Sequence, residues 1–160
     1  ECSNEEQDHF IYDSIGIFMD YMLWDYAESW CMRLKHISPK YKGLPEIEAE
    51  IKMCTGDYDS AIDILNGILD INSYNSQAWN MLAESYFSKG TFEEAIEACH
   101  FALAINEDDF KAISTLADCY YHTSSFSKAH EYYEKALMMR QDDALYHMDA
   151  VSLFQMGEFE

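Results

Sequence analysis

The chain reads as all-α, a stack of short helix-turn-helix repeats, on the strength of two residue ladders and one absence. Ala27, Ala61, Ala95 and Ala129 stand 34 residues apart, and Trp24, Tyr58, Phe92 and Phe126 keep the same interval three residues upstream of each. Two ladders in one register mark a single unit repeated along the chain. A unit of that length holds two short helices and a turn but too little core to stand alone, so stacking must stabilise it. The long alternation of β-branched and polar residues that strands require is missing, and only two prolines and six glycines interrupt the sequence. By length the 160 residues form one domain, 1–160, and 49% hydrophobic residues suffice for a continuous core between hairpins.

Aligned on the ladders, the chain divides into 8–41, 42–75, 76–109, 110–143 and a broken unit, 144–160. The first unit contributes Phe18, Trp24 and Ala27 and closes near Pro39. The second offers Ala49, Gly56, Tyr58, Ala61 and Leu65, with Pro45 near the start of a helix, where proline is tolerated. The third reads SQAWNMLAESYFSKGTFEEAIEACHFALAINEDD and carries Trp79, Leu82, Ala83, Tyr86, Gly90, Phe92, Ala95 and Ala102. Within it Ala78, Leu82, Ala83 and Tyr86 recur at helical intervals, as do Phe92, Ala95, Ile96, Cys99, Ala102 and Leu103, so both halves are amphipathic helices. Gly90 lets the backbone turn out of the first helix, and Thr91 before Glu94 reads as an N-cap with a capping-box acid. Asp57 and Ser125 repeat that cap. The fourth unit supplies Leu116, Ala117, Tyr120, Phe126, Ala129, Tyr133 and Ala136, and the last segment reads as a first helix through Phe154. A turn follows at Met156, Gly157, Glu158 and Phe159, one residue early.

The eight positions of the third unit agree in type and order with the tetratricopeptide repeat, which the chain resembles. The resemblance implies a right-handed α-solenoid of stacked helix-turn-helix tetratricopeptide repeats. Against that pattern Ile113 replaces a tryptophan, while Glu48 and Lys52 stand where the family places a leucine and an aromatic residue. The first helix of the second unit is therefore expected to be shifted or distorted. Pro39 keeps the family's proline site, but Met22 occupies a place expected to hold a small turn residue. A start at Glu1 without methionine and an end inside a repeat lead to the expectation of a piece of a longer array. That ending is also expected to expose the apolar flank of the last helix, where the chain can self-associate.

Other chemistries find little footing. No window approaches the roughly 18 apolar residues of a membrane span, and the opening ECSNEEQDHF is acidic, so a soluble chain without direct membrane insertion is expected. Five cysteines form no C-x-x-C pair, and Cys31 and Cys99 share one inward repeat position. They read as small buried hydrophobes in a reducing, cytoplasmic setting. The six histidines give no metal-ligand spacing, and Asp57-Tyr58-Asp59 lacks the later glycine and glutamate of a calcium loop. Phosphate-binding glycine loops and nucleophile elbows are missing from the sequence, so no catalytic residue, metal or cofactor is expected.

The resemblance implies that positions 2, 5, 9 and 12 of each unit look into a concave groove, and that spacing is one face of a helix. The residues are His9, Tyr12, Gly16 and Met19, then Gly43, Glu46, Glu50 and Met53. Gln77, Asn80, Glu84 and Phe87 follow, then Lys111, Ser114, Asp118 and Tyr121, and in the broken unit Leu145, Met148, Ser152 and Gln155. The candidate peptide-binding set is Glu46, Glu50, Asn80, Glu84, Phe87, Ser114, Asp118 and Tyr121, with Phe87 and Tyr121 as apolar anchors.

Chaperone-adaptor members of the family grip an acidic C-terminal peptide with lysine, arginine and asparagine donors. Here position 9 supplies Glu50, Glu84 and Asp118, and Lys111 with Asn80 cannot build that clamp. With 30 acids against 10 bases, the net charge of −20 also disfavours nucleic acid and anionic lipid. The expected function is a noncatalytic scaffold presenting an acidic groove to a basic or amphipathic segment of another protein. Two other readings stand beside it: the repeat region of a larger enzyme or of a transport or secretion machine, and a chaperone for unfolded clients.

Overall fold

Apolar residues at three- and four-residue intervals form helices throughout the part of the chain that the computed structural model describes, residues 4–157. Among the described residues there are nine helices and no strand. They are α1 (Asn4–Asp20), α2 (Trp24–Ile37), α3 (Leu44–Cys54), α4 (Tyr58–Ile71), α5 (Ser76–Lys89), α6 (Phe92–Ile105), α7 (Phe110–His122), α8 (Phe126–Met139) and α9 (Asp143–Met156). Consecutive helices pair as the hairpins α1/α2, α3/α4, α5/α6 and α7/α8, and α9 lies against α8. No described helix is long and apolar enough to cross a membrane.

Both sequence ladders acquire a structural meaning. Trp24, Tyr58, Phe92 and Phe126 are the first residues of the four second helices. Ala27, Ala61, Ala95 and Ala129 lie one turn further on and have no exposed surface, so a larger side chain there would have to find room in a close-packed interior.

A third ladder is written in backbone conformation. Met22 (φ 56°), Gly56 (φ 81°), Gly90 (φ 83°) and Ser124 (φ 59°) are all left-handed, two residues before each second helix. In each hairpin the following amide reaches back to the first helix: Leu23 N to Phe18 O at 2.8 Å, Asp57 N to Lys52 O at 2.9 Å, Thr91 N to Tyr86 O at 3.0 Å and Ser125 N to Tyr120 O at 2.8 Å. This pairing closes a helix with a left-handed residue and satisfies carbonyls that would otherwise lack partners. Met22 keeps the turn that its side chain type disguises. Gly157 (φ 75°) ends α9 in the same conformation, one residue early in the frame, while Glu158 and Phe159 of that turn lie outside the described residues, as does Cys2.

The capping expectation needs correction. Thr91 and Ser125 occupy N-cap positions, but neither side chain caps its helix. The Thr91 hydroxyl turns back and donates to Tyr86 O at 3.3 Å, serving the end of α5 instead. Asp57 does act as expected, its Oδ1 accepting from Ser60 N at 3.3 Å. The firmer caps belong to first helices: Asn75 Oδ1 accepts from Ala78 N at 3.1 Å, and Asp142 Oδ1 from Ala144 N at 3.0 Å.

The chain divides into two compact units, Glu1–Ile71 and Asn72–Glu160. In the first, Ile11 and Ile15 of α1, Cys31 and Leu34 of α2, and Leu44 and Ile51 of α3 make a common core. Proline sits in the first turn of α3, and Gly43 before it has φ 87°. A side chain at Gly43 would stand 2.9 Å from the Tyr12 hydroxyl, so the position is closed to larger residues on two counts. The shift expected of the first helix in the second unit is found at its start, two residues later in the repeat frame than in α5 and α7, but the helix is not distorted. The helix is continuous over 11 residues, because Glu48 and Lys52 exchange apolar contacts for ion pairs with α2, Lys35–Glu48 and Lys52–Glu28, both 2.7 Å.

In the second unit Leu82, Cys99, Ile113, Leu116 and Tyr133 are buried to 2% exposure or less. Ile113 thus fills the tryptophan site, while Trp79 at the equivalent place stacks on Phe101 at 4.5 Å. Cys31, Cys99 and Cys119 are buried and unbridged, and burial pushes the Cys31 and Cys119 thiols up to about 11 and about 12 and raises Cys99 further. They behave as core groups, not as thiolates. On α9, Phe154 holds the repeat position of Tyr86 and Tyr120 and is 67% exposed.

Candidate peptide-binding face

In the second unit the first helices α5 and α7 pack directly beside each other. This places Asn80, Glu84 and Phe87, spaced four and three apart, along one helix and Ser114, Asp118 and Tyr121 along its neighbour. One carboxylate organises the start of the face. Asp109 caps α7 through Oδ1, which accepts from Lys111 N at 3.1 Å and Ala112 N at 3.2 Å. Its Oδ2 accepts from Ser76 Oγ at 3.1 Å and Asn80 Nδ2 at 2.8 Å, both on α5. Asn80 is only 8% exposed, and its Oδ1 has no hydrogen-bond partner among the described residues.

Further along, Lys111 Nζ meets Glu84 Oε1 at 2.9 Å, with the glutamate side chain about one third exposed. The Ser114 hydroxyl is spent locally, donating to Lys111 O at 3.1 Å. Asp118 is held from behind: the fully buried Tyr133 of α8 donates its phenol to Asp118 Oδ1 at 2.6 Å. Burial raises the Asp118 carboxyl above the ordinary range, with the Tyr133 hydrogen bond opposing it. Burial, aided by that carboxylate, also drives the Tyr133 phenol far upward.

The two candidate anchors belong to a band of rings at the turn end of the hairpins. Phe87 meets Phe92 at 5.6 Å and His122 at 5.4 Å, His122 stacks on Phe92 at 4.8 Å, and Tyr121 meets His122 at 5.7 Å and Phe126 at 5.6 Å. Both are half-buried, so each offers an edge to solvent while its other side supports the stack. His122 joins this band without having been signalled by the repeat frame, since it stands one place past the face positions.

Glu46 and Glu50 lie in the first unit, on α3, the former half-buried and the latter exposed. They border Tyr12, whose phenol is raised mainly by burial and then by Tyr41, Glu46 and Glu50. Tyr12 packs on Tyr41 at 5.1 Å, and Tyr41 shares a 2.6 Å hydrogen bond with His9 Nδ1. A second patch of rings edged by acids results.

Chemically, the α5–α7 face offers carboxylate oxygens and ring edges. The lysine and the asparagine of this face are already engaged, Lys111 by Glu84 and Asn80 by Asp109.

Known folds place this arrangement. In a TM-score 0.80 superposition the chain is similar to MamA, at 19% identity over 96% of this chain and 84% of that one. It is similar to PilF of Pseudomonas aeruginosa at TM-score 0.82 and 15% identity, covering 97% and 71%. It also matches the first tetratricopeptide domain of Spaghetti (RPAP3), solved with the HSP90 peptide SRMEEVD, at TM-score 0.69 and 22% identity over 71% and 91%. At such identities the likeness is one of fold. No curated protein matches the sequence significantly. The tetratricopeptide repeat profile matches residues 55–99 and 86–148, more than half of the sequence, and with an all-α helical-repeat fold to agree with it, the chain belongs to the tetratricopeptide repeat family.

Proposed function

We propose that the chain is a noncatalytic scaffold whose first-helix face binds a basic or amphipathic segment of another protein. Membership of a family of protein-interaction modules supports the general reading. One observation carries the preference for a basic ligand: the lysine and asparagine donors of the α5–α7 face are engaged by the chain's own acids, Lys111 by Glu84 and Asn80 by Asp109. An acidic tail like the SRMEEVD peptide held by the Spaghetti domain would have to compete with Glu84 and Asp109 for these donors. A lysine or arginine of a ligand instead meets the free carboxylate oxygens, and its aliphatic stem lies along the exposed edges of Phe87 and Tyr121.

The test is fluorescence anisotropy with two labelled peptides of equal length, one amphipathic and rich in lysine and arginine, the other acidic with a free C-terminus. The basic peptide is expected to bind, more weakly as salt rises. Glu84→Gln is expected to weaken it about two- to fivefold, the worth of one exposed pair. Because that change also frees Lys111, it should improve whatever binding the acidic peptide shows. Tighter binding of the acidic peptide by the unmodified chain would overturn the reading.

A further inference from the structure

The two residues that depart most from the repeat pattern stand at the mouth of a cavity. Glu48 and Lys52 are the counterparts, 34 residues earlier, of Leu82 and Tyr86, and again of Leu116 and Tyr120. At the α6–α7 junction of the second unit those side chains fill the space: Leu116 has no exposed surface, and the Tyr120 hydroxyl comes within 3.3 Å of His100 on α6. At the α2–α3 junction Glu48 and Lys52 swing aside to Lys35 and Glu28, and a cavity of about 260 Å³ is left between the two ion pairs. Its floor is apolar, made by Cys31 and Ile51 at 3% and 2% exposure, and Met32 stands at the rim.

We propose that this cavity is a binding site for a single aromatic ring with a polar tip, the group that the protein itself supplies at the equivalent place between α6 and α7 through Tyr120. The size fits, because an apolar hole of about 150 Å³ accepts benzene, and 260 Å³ leaves room for a short substituent. The chemistry fits as well. The ring rests on the Ile51 and Cys31 side chains with the flexible Met32 thioether against it, a favourable sulfur–aromatic contact. The tip reaches one of two ion pairs, each of which presents a donor and an acceptor at the rim. Glu48 and Lys52, drawn aside into their ion pairs, leave the site open where the repeat's usual side chains would close it. The ring can belong to a free phenolic molecule or to a tyrosine of a peptide, which share this chemistry.

The experiment is methyl-detected NMR of the whole chain, following the Ile51 and Met32 methyl groups during titration with p-cresol and, separately, with N-acetyltyrosine amide. Saturable shifts confined to the α2–α3 junction are expected with p-cresol. Shifts with the amide as well assign the site to a peptide's ring, and shifts with p-cresol alone assign it to a small phenol. The double substitution Glu48→Leu with Lys52→Tyr rebuilds the repeat's own filling and is expected to weaken binding by about tenfold or more. Met32→Trp, at a position 61% exposed and therefore safe for folding, should do the same by covering the mouth. Linear, unsaturated shifts in the unmodified chain, or undiminished affinity in Met32→Trp, would overturn the proposal.

Discussion

The left-handed ladder makes a prediction whose sign depends on backbone conformation alone. Gly56 and Gly67 lie in the same α3/α4 hairpin, both exposed, and a side chain added at either meets nothing within 4 Å. Contacts therefore cannot distinguish Gly56→Ala from Gly67→Ala. Gly56 is held at φ 81°, whereas Gly67 lies within α4. An L-residue in the left-handed region costs about 1–2 kcal/mol, against which the stiffer unfolded chain of the alanine variant returns about 0.4–1 kcal/mol. Gly56→Ala should then destabilise by about 0.5–1 kcal/mol. Gly67→Ala should stabilise by about 1 kcal/mol, the helix-interior difference between the two residues. The gap of about 1.5–2 kcal/mol corresponds to about 1 M urea between the two midpoints at an m-value near 2 kcal/mol/M. Helical circular dichroism during urea titration measures it. Shifts of the same sign in both variants would show that the turn at Gly56 does not require the left-handed conformation.

Two further outcomes are expected. Ala95→Leu places three extra carbons where no surface is exposed, between α5 and α6, and should destabilise by about 1–3 kcal/mol, read as a lowered melting midpoint; an unchanged midpoint would mean the crossing has slack. Asp118→Asn keeps an oxygen for the Tyr133 phenol but removes the titration. Because burial raises the carboxyl in the folded chain, the native state holds its proton more firmly than the unfolded one, and this group's contribution to stability falls as pH climbs from about 4 through the raised value. Stability of the unmodified chain relative to Asp118→Asn should therefore decline across that window in urea melts at several pH values, and a pH-independent difference would remove the account.

What could be read in advance, and what could not, divides along a physical line. The hairpins were legible because Ala95 and its partners each answer to a constraint repeated every 34 residues, and repetition raises a weak local preference to a clear signal. Met22 hid its turn, since a left-handed backbone is only statistically tied to glycine and a neighbouring hairpin can impose it on another residue. Asp118 was visible as a face position on α7, but its bond to Tyr133 joins residues on different helices, and no spacing rule encodes that. The same is true of Glu48 and Lys52. Their mismatch with the pattern could be seen, whereas the partners that satisfy them sit on α2, 13 and 24 residues away.

Asp109 has a mechanical consequence beyond capping. With one oxygen on the amides that open α7 and the other on Ser76 and Asn80 of α5, a single side chain bolts the start of one hairpin to its predecessor. Apolar contact by itself is non-directional, whereas four directed bonds to one small planar group oppose both sliding and swivelling. The stagger and tilt at this joint are thus keyed like a shaft to its collar, and a tug on either helix is transmitted to the other without slip.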